Sequence, residues 1–141
     1  MKKILPIITV AIVVGCALQF LCINSKSSTL IGKWYPTYLE GQANVKVPSK
    51  VSEFGEVFIE FFSDGRVSGM SGSNIFNGKY VVENDSIIFS EMLSTRRSTP
   101  FDAYEQKFLS ALSKAKKFDF KNSELIISDD STELLKFKND K

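Results

Sequence analysis

The chain has 141 residues, of which 43% are hydrophobic and 24% are charged, a composition typical of one ordinary globular domain. Its formal net charge is +2, and Lys2 and Lys3 near the N-terminus account for that excess. Because the rest of the chain lacks the surplus of Lys and Arg that neutralises phosphates, nucleic acid is not expected as a partner.

Residues 1–23 have the pattern of an export or anchoring segment. Two lysines precede residues 4–14, which carry no charge and are apolar apart from one threonine. A basic start, a short apolar run and a small residue at the cleavage point are typical of a secretory signal. Gly15 followed by Cys16 resembles a lipobox, in which Cys16 becomes the lipidated N-terminus. This interpretation predicts a membrane-anchored lipoprotein.

Two other interpretations of this segment stay open. Residues 4–23 remain mostly apolar beyond Cys16, and about 20 such residues are enough to span a bilayer as an uncleaved anchor. Ordinary cleavage after Ala17 would instead release a soluble secreted domain. All three interpretations export the domain, so we expect a cell-envelope protein and favour a lipoprotein of the outer membrane or one that faces the periplasm.

The rest of the chain reads as a β-rich domain. Residues 24–29 are polar and predict a flexible tether, which leaves 30–141 as the folded domain, and residues 40–55 predict a long connection. Beyond it, short segments alternate between apolar and polar side chains and are separated by turn signals. The alternation predicts strands at 57–62, 66–69, 78–83, 86–89, 117–120, 124–128 and 133–138. Short hairpin-linked strands of this kind favour an antiparallel meander.

One helix is predicted among the strands, at about residues 100–116. Thr99 suits the N-cap, Pro100 the first helical position and Asp102 the first turn, where an acid complements the helix dipole. Apolar side chains then recur at spacings of three and four, which predicts one buried face. They are Phe101, Tyr104, Phe108, Ala111, Leu112 and Ala115.

A Gly-rich motif, FFSDGRVSGMSGSNIFNGKY at 61–80, is followed by Ser94 and Thr95, by Pro100 and by the helix pattern E-x-x-F-L-x-x-L from Glu105. Together these motifs resemble the META domain family, also called the HslJ family, over nearly the whole domain. The resemblance implies a mainly β (α+β) chain folded as a small antiparallel lipocalin-like β-barrel of about eight strands with one α-helix. It also implies a role in tolerance of envelope stress such as heat or antibiotics.

The resemblance places two cysteines of the family at Ser73 and Thr99 of this chain. Joint loss of both is expected if they form a disulfide in relatives, since a single leftover thiol is a liability in an oxidising compartment. Ser73 and Thr99 should then lie close together. The chain's two cysteines are Cys16 and Cys22, so residues 30–141 contain no disulfide, thiolate nucleophile or cysteine metal site.

No residue pattern points to catalysis, a metal or a cofactor. Histidine is absent, and the serines of residues 68–73 have no base beside them in the pattern. Glu60 is the one carboxylate that the strand pattern offers as a candidate for burial, and the alternatives are that it is solvated at an edge or paired with a basic residue inside. Other candidate acids fall in predicted turns, where they form backbone hydrogen bonds: Asp64, Asp85, Asp129 and Asp130. We therefore expect no enzymatic activity.

Arg96 and Arg97 are the candidate binding residues on the surface. Adjacent guanidinium groups ahead of a helix suit anionic lipid headgroups or polymers, although a solvated loop is the plain alternative. Trp34 and Tyr35 could line the mouth of a pocket, but for Trp34 we favour a place in the barrel core.

The leading interpretation is a monomeric, non-enzymatic envelope protein that is anchored in a membrane. A binding or inhibitor module is a second, acting on an unknown protein partner through loops 70–77 and 92–99. A carrier of a small ligand is a third, because barrels of about eight strands either fill with side chains or hold one ligand. The many large aromatic residues favour a filled interior.

The substitution Cys16→Ser is expected to abolish incorporation of labelled palmitate, since the Cys16 thiol is the atom that lipidation modifies. The measurement is labelling and membrane fractionation in the producing bacterium. Cys22→Ser is the matched control and should label like the natural protein. Unchanged labelling and membrane retention in Cys16→Ser would contradict the lipobox interpretation.

Overall fold

The structure, a computed structural model, describes residues 26–44 and 55–139. Within them, eight antiparallel strands each pair with the next along the chain, and β8 returns to β1 to close a barrel. The predicted mainly β barrel with a helix is confirmed. The elements are β1 (Gly32–Leu39), β2 (Phe58–Phe61), β3 (Arg66–Met70), β4 (Ile75–Glu83), β5 (Ser86–Ser94), α1 (Asp102–Lys114), β6 (Lys117–Lys121), β7 (Glu124–Ser128) and β8 (Glu133–Lys138).

Strands β4 and β5 are longer than the alternation predicts. They pair from Phe76 and Ser94 down to the turn at Asn84 and Asp85, and the register shifts beside Gly78. Glu91 has a φ of 52° at this irregularity. A bulge inserts one residue and so interrupts the alternation of apolar and polar side chains. The strands predicted from that alternation are therefore shorter than the observed ones. The predicted loops 70–77 and 92–99 shrink to residues 71–74 and 95–99.

The barrel interior is filled by side chains from the inward faces of the strands. Ile59 and Phe61 of β2 are buried, whereas Phe58 and Glu60 on the other face are half-buried. Aromatic and aliphatic side chains share this space. The largest fully buried ones are Phe61, Phe76, Phe108, Phe118 and Phe137. A small barrel packed in this way stabilises itself through apolar burial.

A short helical segment at residues 26–30 covers the end of the barrel where β1 begins, which we call the N-terminal end. Leu30 is fully buried, and its carbonyl accepts a hydrogen bond from Trp34 Nε1 at 2.9 Å. Lys26 Nζ lies 3.3 Å from Asp119 Oδ1 on β6. Residues 26–29, for which the composition predicts a flexible tether, are thus helical and packed on the barrel.

Helix α1 covers the opposite end, which we call the helix end. The Phe108 ring lies 5.8 Å from that of Phe76 and 6.2 Å from that of Phe137. Thr99 Oγ1 accepts a hydrogen bond from the Phe101 N–H, and the Asp102 carboxylate accepts one from the Thr99 N–H. The helix begins at Asp102 and ends at Lys114, inside both bounds of the predicted 100–116, and Phe101 is its N-cap in place of the predicted Thr99. The hydrogen bonds of Thr99 and Asp102 close the turn that precedes the helix.

The closure between β5 and β6 is narrow. Ser86 and Lys117 are the recorded ladder pair, supported by hydrogen bonds from the Ile87 N–H to the Lys116 carbonyl and from the Phe118 N–H to the Asp85 carbonyl. Beyond Ile87 the two strands separate, and α1 contacts β5 in place of a ninth strand. One side of β5 therefore lacks a neighbouring strand along most of its length.

The structure contains no helix, between residues 26 and 44 or between 55 and 139, with the length and apolarity to cross a bilayer. The predicted leader at 1–23, with Cys16, lies outside the described residues, as does most of the predicted connection at 40–55.

Candidate binding surface at the helix end

The carboxylate of Glu105, in the first turns of α1, is buried at 6% exposure. Its Oε1 accepts hydrogen bonds from the backbone N–H groups of Ser73 at 2.6 Å and Asn74 at 2.8 Å. Its Oε2 accepts a hydrogen bond from Asn74 Nδ2 at 2.6 Å. A buried carboxylate is tolerated when such charge-assisted bonds replace its water. Glu105 thereby ties α1 to the turn between β3 and β4.

The prediction that Glu60 is the one carboxylate near the core was wrong, because Glu60 lies on the outer face of β2 and Glu105 is the buried one. The sequence carries a signal for it. Glu105 stands three residues before Phe108 and seven before Leu112, so it lies on the buried stripe of the helix. An acid on an apolar stripe predicts a buried polar contact.

Asn74, which is 4% exposed, extends this network to the loop that follows β5. Its Nδ2 also donates to the Arg97 carbonyl at 2.9 Å. Its Oδ1 accepts from the Arg97 N–H at 2.7 Å and from Thr95 Oγ1 at 3.0 Å. Both ends of the amide are fully used, so the loop at 95–99 is held against the turn at 71–74.

Ser73 and Thr99 lie together, as the resemblance implied. Their Oγ atoms are 2.6 Å apart, a hydrogen bond in which either hydroxyl is the donor. That separation places the two Cβ atoms within reach of a disulfide. A hydrogen bond thus joins the two loops at the positions where the family places cysteines.

Two glycines of the motif permit close approaches in this region. A Cβ on Gly72, whose φ is +155°, would lie 2.9 Å from Glu105 Cγ, and a Cβ on Gly69 would lie 2.1 Å from the Phe58 carbonyl oxygen. Neither position accepts a side chain without displacement of its neighbours. The helix end is therefore built by residues with structural roles, namely Gly69, Gly72, Asn74 and Glu105. Their polar groups already take part in hydrogen bonds within the protein.

Arg96 and Arg97 are the charged side chains that this framework presents to solvent. They line a groove of about 520 Å³ between the end of β5 and α1, and a second of about 360 Å³ beside Met70. Within residues 26–44 and 55–139 neither guanidinium forms an ion pair. Leu93, at 74% exposure, and Ile75, at 51%, add apolar surface next to them. The result is a basic and apolar surface on a rigid support.

The structure does not bring the other candidates to this surface. Trp34 is 3% exposed and packs beside Phe120, with ring centres 5.8 Å apart, so it fills the core and cannot line a surface site here. Tyr35 is half-buried and lies on β1, four strands away from β5. Of the four candidate binding residues, only Arg96 and Arg97 therefore lie at the surface of the helix end.

The pKa shifts that the fold produces move away from neutrality. Hydrogen bonds from Arg66 hold the pKa of Asp64 below its ordinary value, and burial raises the pKa of Tyr104 to about 12. The hydrogen bond to Asp130 raises the pKa of Lys116. A general acid or base is usually tuned toward the working pH instead. The described residues also contain no cluster of three metal-ligating side chains.

Residues 28–141 match the family model of the META domain. A DUF4847 family protein from Bacteroides vulgatus has a similar structure, with a TM-score of 0.57 and 17% identity over 81% of this chain and 96% of its own. A protein from Burkholderia xenovorans, solved by NMR, has a TM-score of 0.60 and 18% identity over 98% of this chain and 97% of its own. These similarities show the fold. No curated protein sequence matches the chain.

The substitution Glu105→Gln is expected to lower the free energy of unfolding by about 2 kcal/mol, because an amide places a donor where the site offers donors only. The urea midpoint should fall without a change in slope. Glu91→Gln is the matched control, since Glu91 is exposed and pairs with Lys79 on the barrel exterior. Equal stability of Glu105→Gln and the natural protein would show that the carboxylate does not hold the turn.

The double substitution Ser73→Cys and Thr99→Cys, made with both native cysteines changed to serine, should form a disulfide in air. The oxidised form is expected to be more stable than its reduced form by about 3 kcal/mol, the value for a loop of this length. Thiol titration and urea denaturation measure both effects. The pair Ser90→Cys and Thr99→Cys is the control and should stay reduced. Persistent free thiols in the Ser73 and Thr99 pair would contradict the proximity of these side chains.

Proposed function

We propose that this chain, which belongs to the META domain family, is a non-catalytic binding module of the cell envelope that meets its partner at the helix end. The observation that carries the proposal is the network of Asn74 and Glu105. It fixes the two loops at 71–74 and 95–99 and leaves Arg96 and Arg97 exposed, with no ion pair to any of the residues that the structure describes. A pre-organised surface loses little entropy on binding.

The absence of catalysis is part of the proposal and is supported by the chemistry of the helix end. The carboxylate of Glu105 is 6% exposed, and both of its oxygens accept hydrogen bonds from Ser73 and Asn74. The Ser73 hydroxyl bonds to Thr99 and Glu105, and the chain has no histidine to activate it. The Glu105 carboxylate and the Ser73 hydroxyl thus form hydrogen bonds that hold the loops together.

The orientation of the barrel's two ends supports a partner other than the membrane in which the chain would be anchored. The described chain enters at the N-terminal end, where Lys26 contacts Asp119, whereas Arg96 and Arg97 lie at the helix end. A leader that anchors residues 1–23 in a membrane would hold the N-terminal end toward that membrane. The helix end would then face away from it, which disfavours lipid headgroups of the same membrane as the ligand.

Carriage of a small ligand inside the barrel is disfavoured by the filled interior.

The family resemblance implies a role in envelope stress tolerance, and survival under such stress is the property that the test measures. In a deletion strain, a gene for the variant Arg96→Ala with Arg97→Ala should fail to restore survival of heat or envelope-active antibiotics. The matched control is Lys121→Ala with Lys138→Ala, which removes two exposed charges at the N-terminal end and breaks only long ion pairs of 3.9 and 3.8 Å. It should restore survival. Immunoblots check that both variants reach equal levels.

Equal rescue by the two double variants would show that Arg96 and Arg97 do not form the binding surface. A deletion strain with normal survival would instead contradict the stress role and leave the binding surface to be tested by direct binding.

A further inference from the structure

The smaller groove at the helix end, of about 360 Å³, has a positively charged lining. Arg96 and Arg97 line it together with Met70 and Ile75, which supply apolar surface, and no acid of the described chain does so. The same two arginines also line the larger groove of about 520 Å³ beside α1. Both side chains therefore lie where the two grooves meet. We call the smaller one the arginine groove.

The guanidinium groups are the unused hydrogen-bond donors of the arginine groove. Its other polar side chains, Ser73 and Thr95, already form hydrogen bonds within the protein, at 2.6 Å and 3.0 Å. The guanidinium groups of Arg96 and Arg97 form no hydrogen bond and no ion pair with the residues that the structure describes. The backbone of Arg97, in contrast, is held by Asn74 at both its N–H and its carbonyl. The loop is thus fixed while its charged groups stay open to a ligand.

The two acids of the larger groove do not neutralise these arginines. Asp102 accepts hydrogen bonds from the loop at 95–99, and Glu105 accepts them from the turn at 71–74. Both carboxylates line the larger groove, where they would repel an anion. An anionic group is therefore favoured in the arginine groove.

The pairing of two arginines indicates which anion fits. A guanidinium presents paired N–H donors that match two oxygens of a phosphate or a carboxylate. A phosphomonoester carries nearly two negative charges at about pH 7 and three acceptor oxygens, so one such group can neutralise both arginines. A carboxylate carries one charge and would leave one arginine without a counter-ion. The groove is large enough for a small-molecule site, and Met70 and Ile75 can contact the part of the ligand next to the ester oxygen.

We propose that the arginine groove binds a phosphomonoester group of an envelope ligand. The inference rests on the proposed function and names the chemical class that the helix end recognises. Arg96 and Arg97 hold the phosphoryl oxygens, and no bond of the ligand is made or broken. A phosphorylated sugar and the headgroup of phosphatidic acid both carry this group, and the test separates a soluble source from a membrane source.

The test uses full-length protein in non-ionic detergent and measures how fast phenylglyoxal modifies each arginine, by mass spectrometry at constant ionic strength. Methyl phosphate should protect Arg96 and Arg97 along a saturable curve. Dimethyl phosphate, which keeps the phosphorus and has a single charge, should need at least about tenfold higher concentration. Arg66 is the internal control, because its side chain is 67% exposed and lies at the start of β3, whereas Met70 lies at its end.

The variant Arg97→Gln should need at least about tenfold more methyl phosphate for protection of Arg96, since one of the two charge-assisted contacts is lost. Arg66→Gln removes the same charge at a distance and is the matched control. It should leave the protection of Arg96 and Arg97 unchanged. Circular dichroism checks that both variants remain folded.

Equal protection by methyl and dimethyl phosphate, or equal protection of Arg66, would overturn the proposal, since a general effect of anions would then explain the result. So would protection by phosphatidic acid vesicles without protection by methyl phosphate, because the surface would then recognise a membrane. If methyl phosphate fails to protect while the Arg96 and Arg97 variant still fails to restore survival, the phosphomonoester site falls and the proposed function stands. If methyl phosphate protects and that variant restores survival fully, the site stands and the proposed function falls.

Discussion

The buried carboxylate of Glu105 is the constraint on which the helix end depends. A charge inside a protein costs several kcal/mol unless hydrogen bonds and partners replace its hydration. Here those partners are the backbone of Ser73 and Asn74 and the Asn74 amide, so the turn at 71–74 cannot move away from α1 without leaving the charge unpaired. Asn74 then holds Arg97 and Thr95, and one carboxylate fixes three separate segments of the chain.

In this arrangement, the residues that hold the surface in place differ from the residues that would bind a partner. Motif residues such as Gly72, Asn74 and Glu105 pack closely and form hydrogen bonds with one another or with their neighbours. The side chains with free donors, Arg96 and Arg97, stand on the loop that these residues hold. A framework of this kind can present different loop side chains without a change of fold, which is why family membership by itself does not name a ligand.

The narrow closure between β5 and β6 has a cause and a consequence. Helix α1 follows β5 in the chain and occupies the space where the two strands would otherwise continue to pair, so the ladder ends near Ser86 and Lys117. The barrel is stabilised there by packing of Leu109 and Met92 against the core instead of by backbone pairing. Helix packing thus takes the place of a strand neighbour along β5 beyond Ile87.

Local chemistry determined much of this protein in advance. The turn at Asn84 and Asp85, the presence of a helix after Pro100 and the shared face of Ile59 and Phe61 all depend on neighbours in the chain, and sequence patterns predict them. The bulge at Glu91, the identity of the partners of Glu105 and the separation of β5 from β6 were decided by tertiary structure. Each depends on which distant segment comes to lie opposite, and a residue's partner across a barrel is set by strand register and helix placement that no local pattern contains.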